Sequence, residues 1–321
     1  MKNQTKIKEF LLLGFTENHN LEIFLFVLFL IMYLMTIAGN LLIIIITLTD
    51  FRLRTPMYFF LRNYAILEIG YTTTVMPTAL INLATGRKTI SFAGCISQSF
   101  MYFFLGTTDF FLLTVMSFDR YVAICHPLRY TTIMKDSFCT LLVLYSWGGS
   151  FVMIFGQTMH DYQFPFCGSN VIDHFFCDSR PLQKLQCGDK QLLELIGFIS
   201  AVFSLMGTLA ITVVSYMRII HTVLHIPTAA GRQKAFSTCA AHITVVSITY
   251  GSCISMYVKP VQDGGQNFNK VVAVLNNVVC PLMTPFVYSL RNKQVQNALK
   301  DAFDCKMVSY KLQRVSLRRK G

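Results

Sequence analysis

The chain has 321 residues, of which 53% are hydrophobic and only 14% charged. A soluble domain carries about a quarter charged residues, so too little polar surface is present for a water-exposed globular fold. The formal net charge of +12 invites a nucleic-acid reading, but basic residues on so apolar a chain are expected to meet anionic lipid headgroups, and no nucleic-acid partner is expected.

In chain order, residues 1–22 read as an N-terminal segment, and "NQT" at 3–5 makes Asn3 a glycosylation acceptor, in keeping with an extracellular N-terminus. The run "FLLLG" (10–14) is too short for the apolar part of a cleavable signal. The next run, Ile23 to Leu48, is uncharged and too long for one, so it is expected to stay in the membrane as a signal anchor. Seven apolar runs have the length that crosses a bilayer, about 20 residues or more. They lie at approximately 23–48, 57–81, 97–122, 138–159, 192–217, 235–258 and 271–290. None shows the polar face of a soluble helix. The expected fold is an all-α membrane protein with a seven-transmembrane helix bundle over 23–290.

With the N-terminus outside, the inner side receives Arg52, Arg54, Arg62, Arg120, Arg129, Lys135, Arg218, Arg232, Lys234 and nine basic residues beyond 290. That is 18 of the 28 Lys and Arg, as the positive-inside rule requires, although much of the excess sits in the tail. After the last run, "RNKQVQNALKDAF" sets Val295, Ala298, Leu299, Ala302 and Phe303 at helical spacing, with Lys293, Gln296, Asn297 and Lys300 largely opposite. Residues 291–321 therefore read as a short amphipathic helix on the inner surface followed by a basic tail.

Cysteines divide by side. Cys95, Cys167, Cys177 and Cys187 fall outside, where disulfides persist. Four cysteines allow three pairings, and spacing does not choose among them. His174, Cys177 and Asp178 lie close together, but three donors are a poor metal signal where the thiol can be oxidised, so no metal site is expected.

Polar residues within the runs are costly in lipid and are functional candidates. They are Asn40, Glu68, Asp109, Tyr216, His242, Thr284, Pro285 and Tyr288. Interhelical hydrogen bonding alone would account for some of them, Asn40 above all. A carboxylate at Glu68 or Asp109 needs a partner or a cation, or else it takes up a proton; both outcomes stay open at this point.

These features carry a resemblance. "GN" (39–40), "LRTPMYFFLRN" (53–63), "MSFDRYVAICHPLRY" (116–130), "SY" (215–216), "KAFSTCAAH" (234–242) and "PLMTPFVYSLRN" (281–292) occur in order, together with the three-cysteine loop. From about residue 8 to 303 the chain resembles the olfactory receptors, a branch of the rhodopsin-like G-protein-coupled receptors. It departs from them in having Glu68 where they usually have Asp, and Thr284 where they usually have Asn.

The resemblance implies a plasma-membrane receptor of olfactory cilia. It would bind a small neutral volatile odorant and activate a heterotrimeric stimulatory G protein to raise cyclic AMP, with membrane lipid as its surroundings and no cofactor. It implies Cys95–Cys177 and Cys167–Cys187 disulfides. It implies a ligand lining of Tyr102, Phe103, Gly106, Thr107, Ser200, Phe203, Ser204, Tyr250, Cys253, Ile254, Tyr257, Val274 and Asn277. Such a lining, aromatic and aliphatic with few polar groups, suits an apolar molecule held by one or two hydrogen bonds. It implies a coupling switch of Asp119, Arg120, Tyr121, Tyr216, Lys234, His242, Pro285 and Tyr288, beside a polar network of Asn40, Glu68, Asp109 and Thr284. In that switch Arg120, partly restrained by Asp119 at rest, is released toward the G protein and Tyr216.

The residues argue against other classes. A retinal protein needs a lysine in the seventh run, and 271–290 has none. An amine receptor usually has Asp seven residues after the third-run cysteine, where Tyr102 stands here. A transporter would more often show internal repeats or broken helices. No nucleophile and base can be placed together for an enzyme. A ligand-gated channel, or a non-olfactory chemosensory receptor of the same fold, is the alternative.

Overall fold

The computed structural model describes residues 7–16, 18–161, 165–166, 169–187, 191–258, 265–291, 294–298 and 300–301. Lipid offers no water to backbone N–H and C=O groups, so apolar runs of this length bond internally as helices. Helices α1 (His19–Thr49), α2 (Pro56–Thr85) and α3 (Phe92–Cys125) are followed by the single turn α4 (Tyr130–Ile133) and the long α5 (Asp136–Asp161). The short α6 (Ser179–Lys184) precedes α7 (Gln191–Leu224), α8 (Ala229–Val258), α9 (Gly265–Val274) and α10 (Cys280–Arg291). A π-helical turn, Leu275–Val279, joins α9 to α10. Pro281 supplies no N–H to a regular ladder, and a widened turn precedes it.

The helices outrun the expected spans at most ends. Apolarity stops at the headgroups, whereas helical hydrogen bonding continues until a cap intervenes. Asn18 Oδ1 accepts from the Asn20 and Leu21 amides at 3.0 and 3.4 Å and starts α1 early. Ser91 Oγ accepts from the Gly94 amide at 3.1 Å and starts α3. Gly86, with φ of 65°, terminates α2 in a left-handed conformation that suits glycine.

Among the described residues, five segments are long and apolar enough to cross a membrane by length and composition: α1, α3, α5, α7 and the α9–α10 rod. Helices α2 and α8 are diluted by polar residues, among them Arg62, Asn63, Glu68 and Thr72 in one and Arg232, Gln233 and Lys234 in the other.

The bundle is apolar on both sides. Phe24, Leu34 and Leu48 on α1, Tyr145 and Val152 on α5, and Phe198 on α7 lie exposed on its outside, the surface a bilayer would cover. Tyr58, Phe60, Tyr64, Leu67, Leu112, Leu113 and Tyr288 pack between the helices. Gly39 marks the closest approach, since a Cβ there would lie 2.8 Å from Pro285 Cγ on α10.

An outer cap was not foreseen in the sequence. Strand β1 (Glu9–Leu12) pairs antiparallel with β2 (Thr89–Ser91) and parallel with β3 (Val171–Ile172). Alternation turns Phe10 and Leu12 inward, where both are fully buried with Cys95, Ile172, Cys177 and Leu182. The run "FLLLG" is thus the strand that roofs the bundle. At the inner end, Tyr58 Oη donates to Gln294 Oε1 at 2.8 Å, Val295 and Ala298 are buried, and Arg52 pairs with Asp301 at 2.7 Å. Leu299, Ala302 and Phe303 of the expected apolar face lie outside the described residues.

The Gly39 contact gives a direct stability test. Gly39→Leu is expected to destabilise the protein by about 1–3 kcal/mol, the usual cost of overpacking a filled interior, and Gly39→Ala by less. Thermal unfolding of the purified protein and surface immunolabelling measure this. Wild-type values for Gly39→Leu would show that α1 and α10 do not close there.

Candidate functional site

Helix α3 threads the candidate residues together. Its outer end is pinned by the Cys95–Cys177 disulfide, with Cα atoms 5.4 Å apart. Beside that bond the Cys177 amide donates to Gln98 Oε1 at 3.0 Å, and Gln98 Nε2 donates to the Thr74 carbonyl at 3.0 Å. Residues 171–177 are therefore held down over the bundle. Cys187 is disulfide-bonded as well; Cys167, expected as its partner, lies outside the described residues, as does Asn3. Because Cys177 is spent in a disulfide it offers no thiolate to a metal, and no group of three or more His, Cys, Asp and Glu among the described residues could hold one.

Under this lid the expected lining divides. Tyr102, buried, lies 5.2 Å from the Tyr71 ring, 5.1 Å from Phe103 and 4.7 Å from Phe176, centroid to centroid. Val274 packs against the same cluster, which also includes Val75, Phe175 and Ala273. Gly106 faces the Tyr71 ring, 3.6 Å from where its Cβ would be. Deeper, Tyr250 lies 5.1 Å from Phe110 and its hydroxyl is 3.5 Å from that of Thr114. Cys253 and Ile254 pack against the same core, and Asn276 Nδ2 donates to Cys253 Sγ at 3.8 Å. Thr107, Ser204 and Asn277 are buried and Ser200 is half-buried. Asn277 donates to the Ala273 carbonyl at 2.7 Å.

Phe203 does not join them. It is 70% exposed on the outside of α7, because one residue turns a helix by about 100° and Ser204 takes the inward face. The Tyr257 side chain lies outside the described residues. The cluster is filled by its own rings. Among the described residues, one small cleft lies above it, bordered by Phe15, Glu22, Asn82, Lys88 and Phe175, and another lies below.

Sequence reasoning missed Tyr71, Gln98, Phe175 and Phe176. The signal for Phe175 and Phe176 was present as "HFFCD", an aromatic pair beside a disulfide cysteine; nothing local marks Tyr71 or Gln98. It also missed an ion pair at the rim, where Lys270 Nζ on α9 donates to Asp173 Oδ1 at 2.7 Å. His174 next to it is buried, and its Nδ1 has no partner. Burial first, and then the Lys270 charge, hold the imidazole down to about 3, so it is neutral at physiological pH.

A polar layer lies at mid-bundle. Thr284 Oγ1 donates to Glu68 Oε1 at 3.2 Å and lies 3.1 Å from the Cys280 carbonyl. Asn40 Nδ2 donates to the Thr36 and Pro281 carbonyls at 3.0 and 3.3 Å. Asn40 Oδ1, Asp109 Oδ1 and the Tyr288 hydroxyl are buried without partners. An unpaired buried polar atom costs about 1–3 kcal/mol, so a rearrangement that pairs these groups would be favoured.

At the inner end Asp119 and Arg120 form a buried ion pair, and Tyr130 Oη donates to Asp119 Oδ1 at 2.7 Å. Burial and the Asp119 carboxylate together push the Tyr130 phenol up. Tyr130, beyond α3, is a restraint that the sequence reading did not name. Tyr216 on α7 is hydrogen-bonded to His242 Nδ1 on α8. Asp119, Arg120, His242 and Tyr288 border one small cleft with Met57 and Met116. Tyr121 packs with Tyr216 against Ile219, Val223 and Cys239, its hydroxyl 3.0 Å from His126 Nε2, and Pro285 abuts Gly39. Lys234 lies on α8, its side chain outside the described residues.

Comparison with known proteins gives the chain its family and its fold relatives. A family model described as "Olfactory receptor" matches residues 29–306. Olfactory receptor 6E1 of Mus musculus is 54% identical over 302 residues, 94% of this chain and 96% of that protein. Olfactory receptor 6C1 of Homo sapiens is 53% identical over 298 residues, 93% of this chain and 96% of that protein. The crystal structure of squid rhodopsin superposes with a TM-score of 0.73 at 15% identity, over 89% of this chain and 81% of that one, which speaks to the fold.

The mid-bundle layer yields a stability measurement. Thr284→Val keeps the shape but removes the hydroxyl that donates to Glu68, and is expected to cost about 1–3 kcal/mol. Thr284→Ser, which keeps the hydroxyl, should cost less. Equal thermal unfolding of all three proteins would show that the Glu68 contact carries no stability.

Proposed function

This chain belongs to the olfactory receptor family, and from that premise we propose that it detects small, neutral, volatile odorants and signals through a stimulatory heterotrimeric G protein that raises cyclic AMP. It is a multi-pass membrane receptor and not an enzyme. We place its N-terminus outside the cell, as the basic residues and Asn3 suggest, and the protein in olfactory cilia.

One observation carries the reading: a single helix, α3, bears both the aromatic cluster at Tyr102 and the Asp119–Arg120 pair. The two lie 18 residues apart on α3, about 27 Å at 1.5 Å per residue. A ligand entering between Tyr102, Phe176 and Val274 displaces ring contacts and shifts α3 against α8 and α9. At the inner end that shift works on restraints that can be exchanged. Arg120 leaves Asp119, Tyr216 leaves His242, and α8 swings outward to admit the G protein. The ion pair sets the resting state because breaking it inside the bundle takes the counter-charge away from Arg120.

The lining favours neutral ligands. Its clustered residues carry no free charge, and an ionised ligand buried there costs several kcal/mol. A neutral molecule gains about 25 cal/mol per Å² of apolar surface removed from water. One hydrogen bond to a hydroxyl such as that of Thr107 adds about 1 kcal/mol.

Two experiments test this reading. Arg120→Ala is expected to reach the cell surface and lose the odorant-evoked cyclic AMP response; a variant that signals normally from the surface makes Arg120 an interfacial anchor only. In a chemically diverse panel, alcohols, aldehydes, ketones or esters are expected to activate, and Phe103→Ala to right-shift their dose-response curves at equal expression. Strong activation of the wild type by an ionised acid or amine would overturn the neutral-ligand reading.

A further inference from the structure

We propose that Asp173 sets the charge selectivity of this ligand site by occupying Lys270, so that the receptor refuses anions only while that carboxylate is in place. This rests on the odorant-binding reading above and adds a specificity-determining pair to it.

Lys270 is buried, which is rare for lysine and demands a counter-charge. Among the described residues Asp173 is the one carboxylate within ion-pair distance, at 2.7 Å. The two partners differ in exposure: the lysine side chain is 11% exposed and the aspartate 35%. The cation is therefore the inner member and the carboxylate closes it from the outside. Lys270 also shares a helical face with Val274, at i and i+4, just before the π-helical turn Leu275–Val279. Val274 touches the aromatic cluster and Asn277 is fully buried. The ammonium accordingly stands about one turn, near 5 Å, outward of the lining.

The lid couples the pair to the cluster. Asp173 lies three residues before Phe176, whose ring meets Tyr102, and four before the disulfide at Cys177. Its backbone is thereby fixed relative to α3, and the ion pair adds a link from lid to α9. Neutral His174 supplies no competing positive charge. Removing the Asp173 charge without its shape leaves a buried ammonium with no partner at the rim of an apolar pocket. A ligand carboxylate presented from below can then take the place of the aspartate, with its chain among Tyr102, Phe176 and Val274.

The test uses medium-chain alkanals and the matching alkanoates at neutral pH, on cells expressing the full chain with surface receptor measured. Asp173→Asn is expected to lower the half-maximal alkanoate concentration relative to the matching alkanal by at least about tenfold, a difference near 1.4 kcal/mol. Adding Lys270→Gln should abolish that gain, and Lys270→Gln alone should not produce it. In parallel, purified receptor with lysines ¹³C-dimethylated, which keeps their charge, is titrated with octanoate. The resonance assigned to Lys270 by its loss in Lys270→Gln should move in Asp173→Asn and stay still in the wild type. A folded, surface-expressed Asp173→Asn protein with neither change would overturn the proposal. If octanoate moves Lys270 in Asp173→Asn while neutral odorants never raise cyclic AMP in the wild type, the odorant reading fails and the charge pair stands. If alkanals activate the wild type and Lys270 stays still, only the charge pair fails.

Discussion

The constraint on which the structure depends is that a backbone inside lipid must satisfy its own hydrogen bonds. It makes each buried segment a helix and hands the outside of every helix to apolar side chains. The conspicuous polar groups then have only the inside of the bundle to occupy. Glu68, Thr284 and Asn40 meet there, and so do Asp119 and Arg120. Burial makes each of these contacts expensive to leave unmade. That gives the receptor well-defined resting contacts and a barrier between arrangements.

Helix α3 converts that constraint into a mechanism. Covalently fixed to the lid at Cys95, packed through Tyr102 against Phe176, and ion-paired at Arg120, it touches the lid, the aromatic cluster and the opposite end of the bundle. The lid is fixed to α3 by covalent and backbone bonds, and to α9 by the Lys270–Asp173 pair. Movement of α9 or α8 against α3 is therefore less restrained than movement of lid against α3. The N-terminal segment reaches the site directly, since Phe15 stacks on Phe175 at the aromatic cluster, and it also braces the lid. Phe10 and Leu12 pack directly on the disulfide that anchors the lid.

Tyr130 shows how a residue beyond α3 bears on the proposed switch. The α4 turn returns the chain to the end of α3, where the phenol donates to Asp119 while Arg120 claims the other carboxylate oxygen. Asp119 is thus doubly bonded at rest, and release of Arg120 leaves it with a partner. An exchange of partners costs less than a bare separation of charges, which makes the resting pair strong enough to hold and still reversible.

The sequence by itself determined the helical membrane class, the approximate extents of the long helices and the family. Each of these follows from local information: run length and short strings such as "MSFDRYVAICHPLRY" and "PLMTPFVYSLRN". It also named the polar residues that the bundle buries, because an Asp or a His in an apolar run has few fates. Tertiary structure alone decided which of them meet. Helical phase separated Ser204 from Phe203 and sent the second to the outer face. Long-range pairing turned "FLLLG" into a cap strand and joined Asp173 to Lys270 across 97 residues. Such contacts are set by how helices close, through approaches like that of Gly39 to Pro285, and no local window of sequence contains both partners.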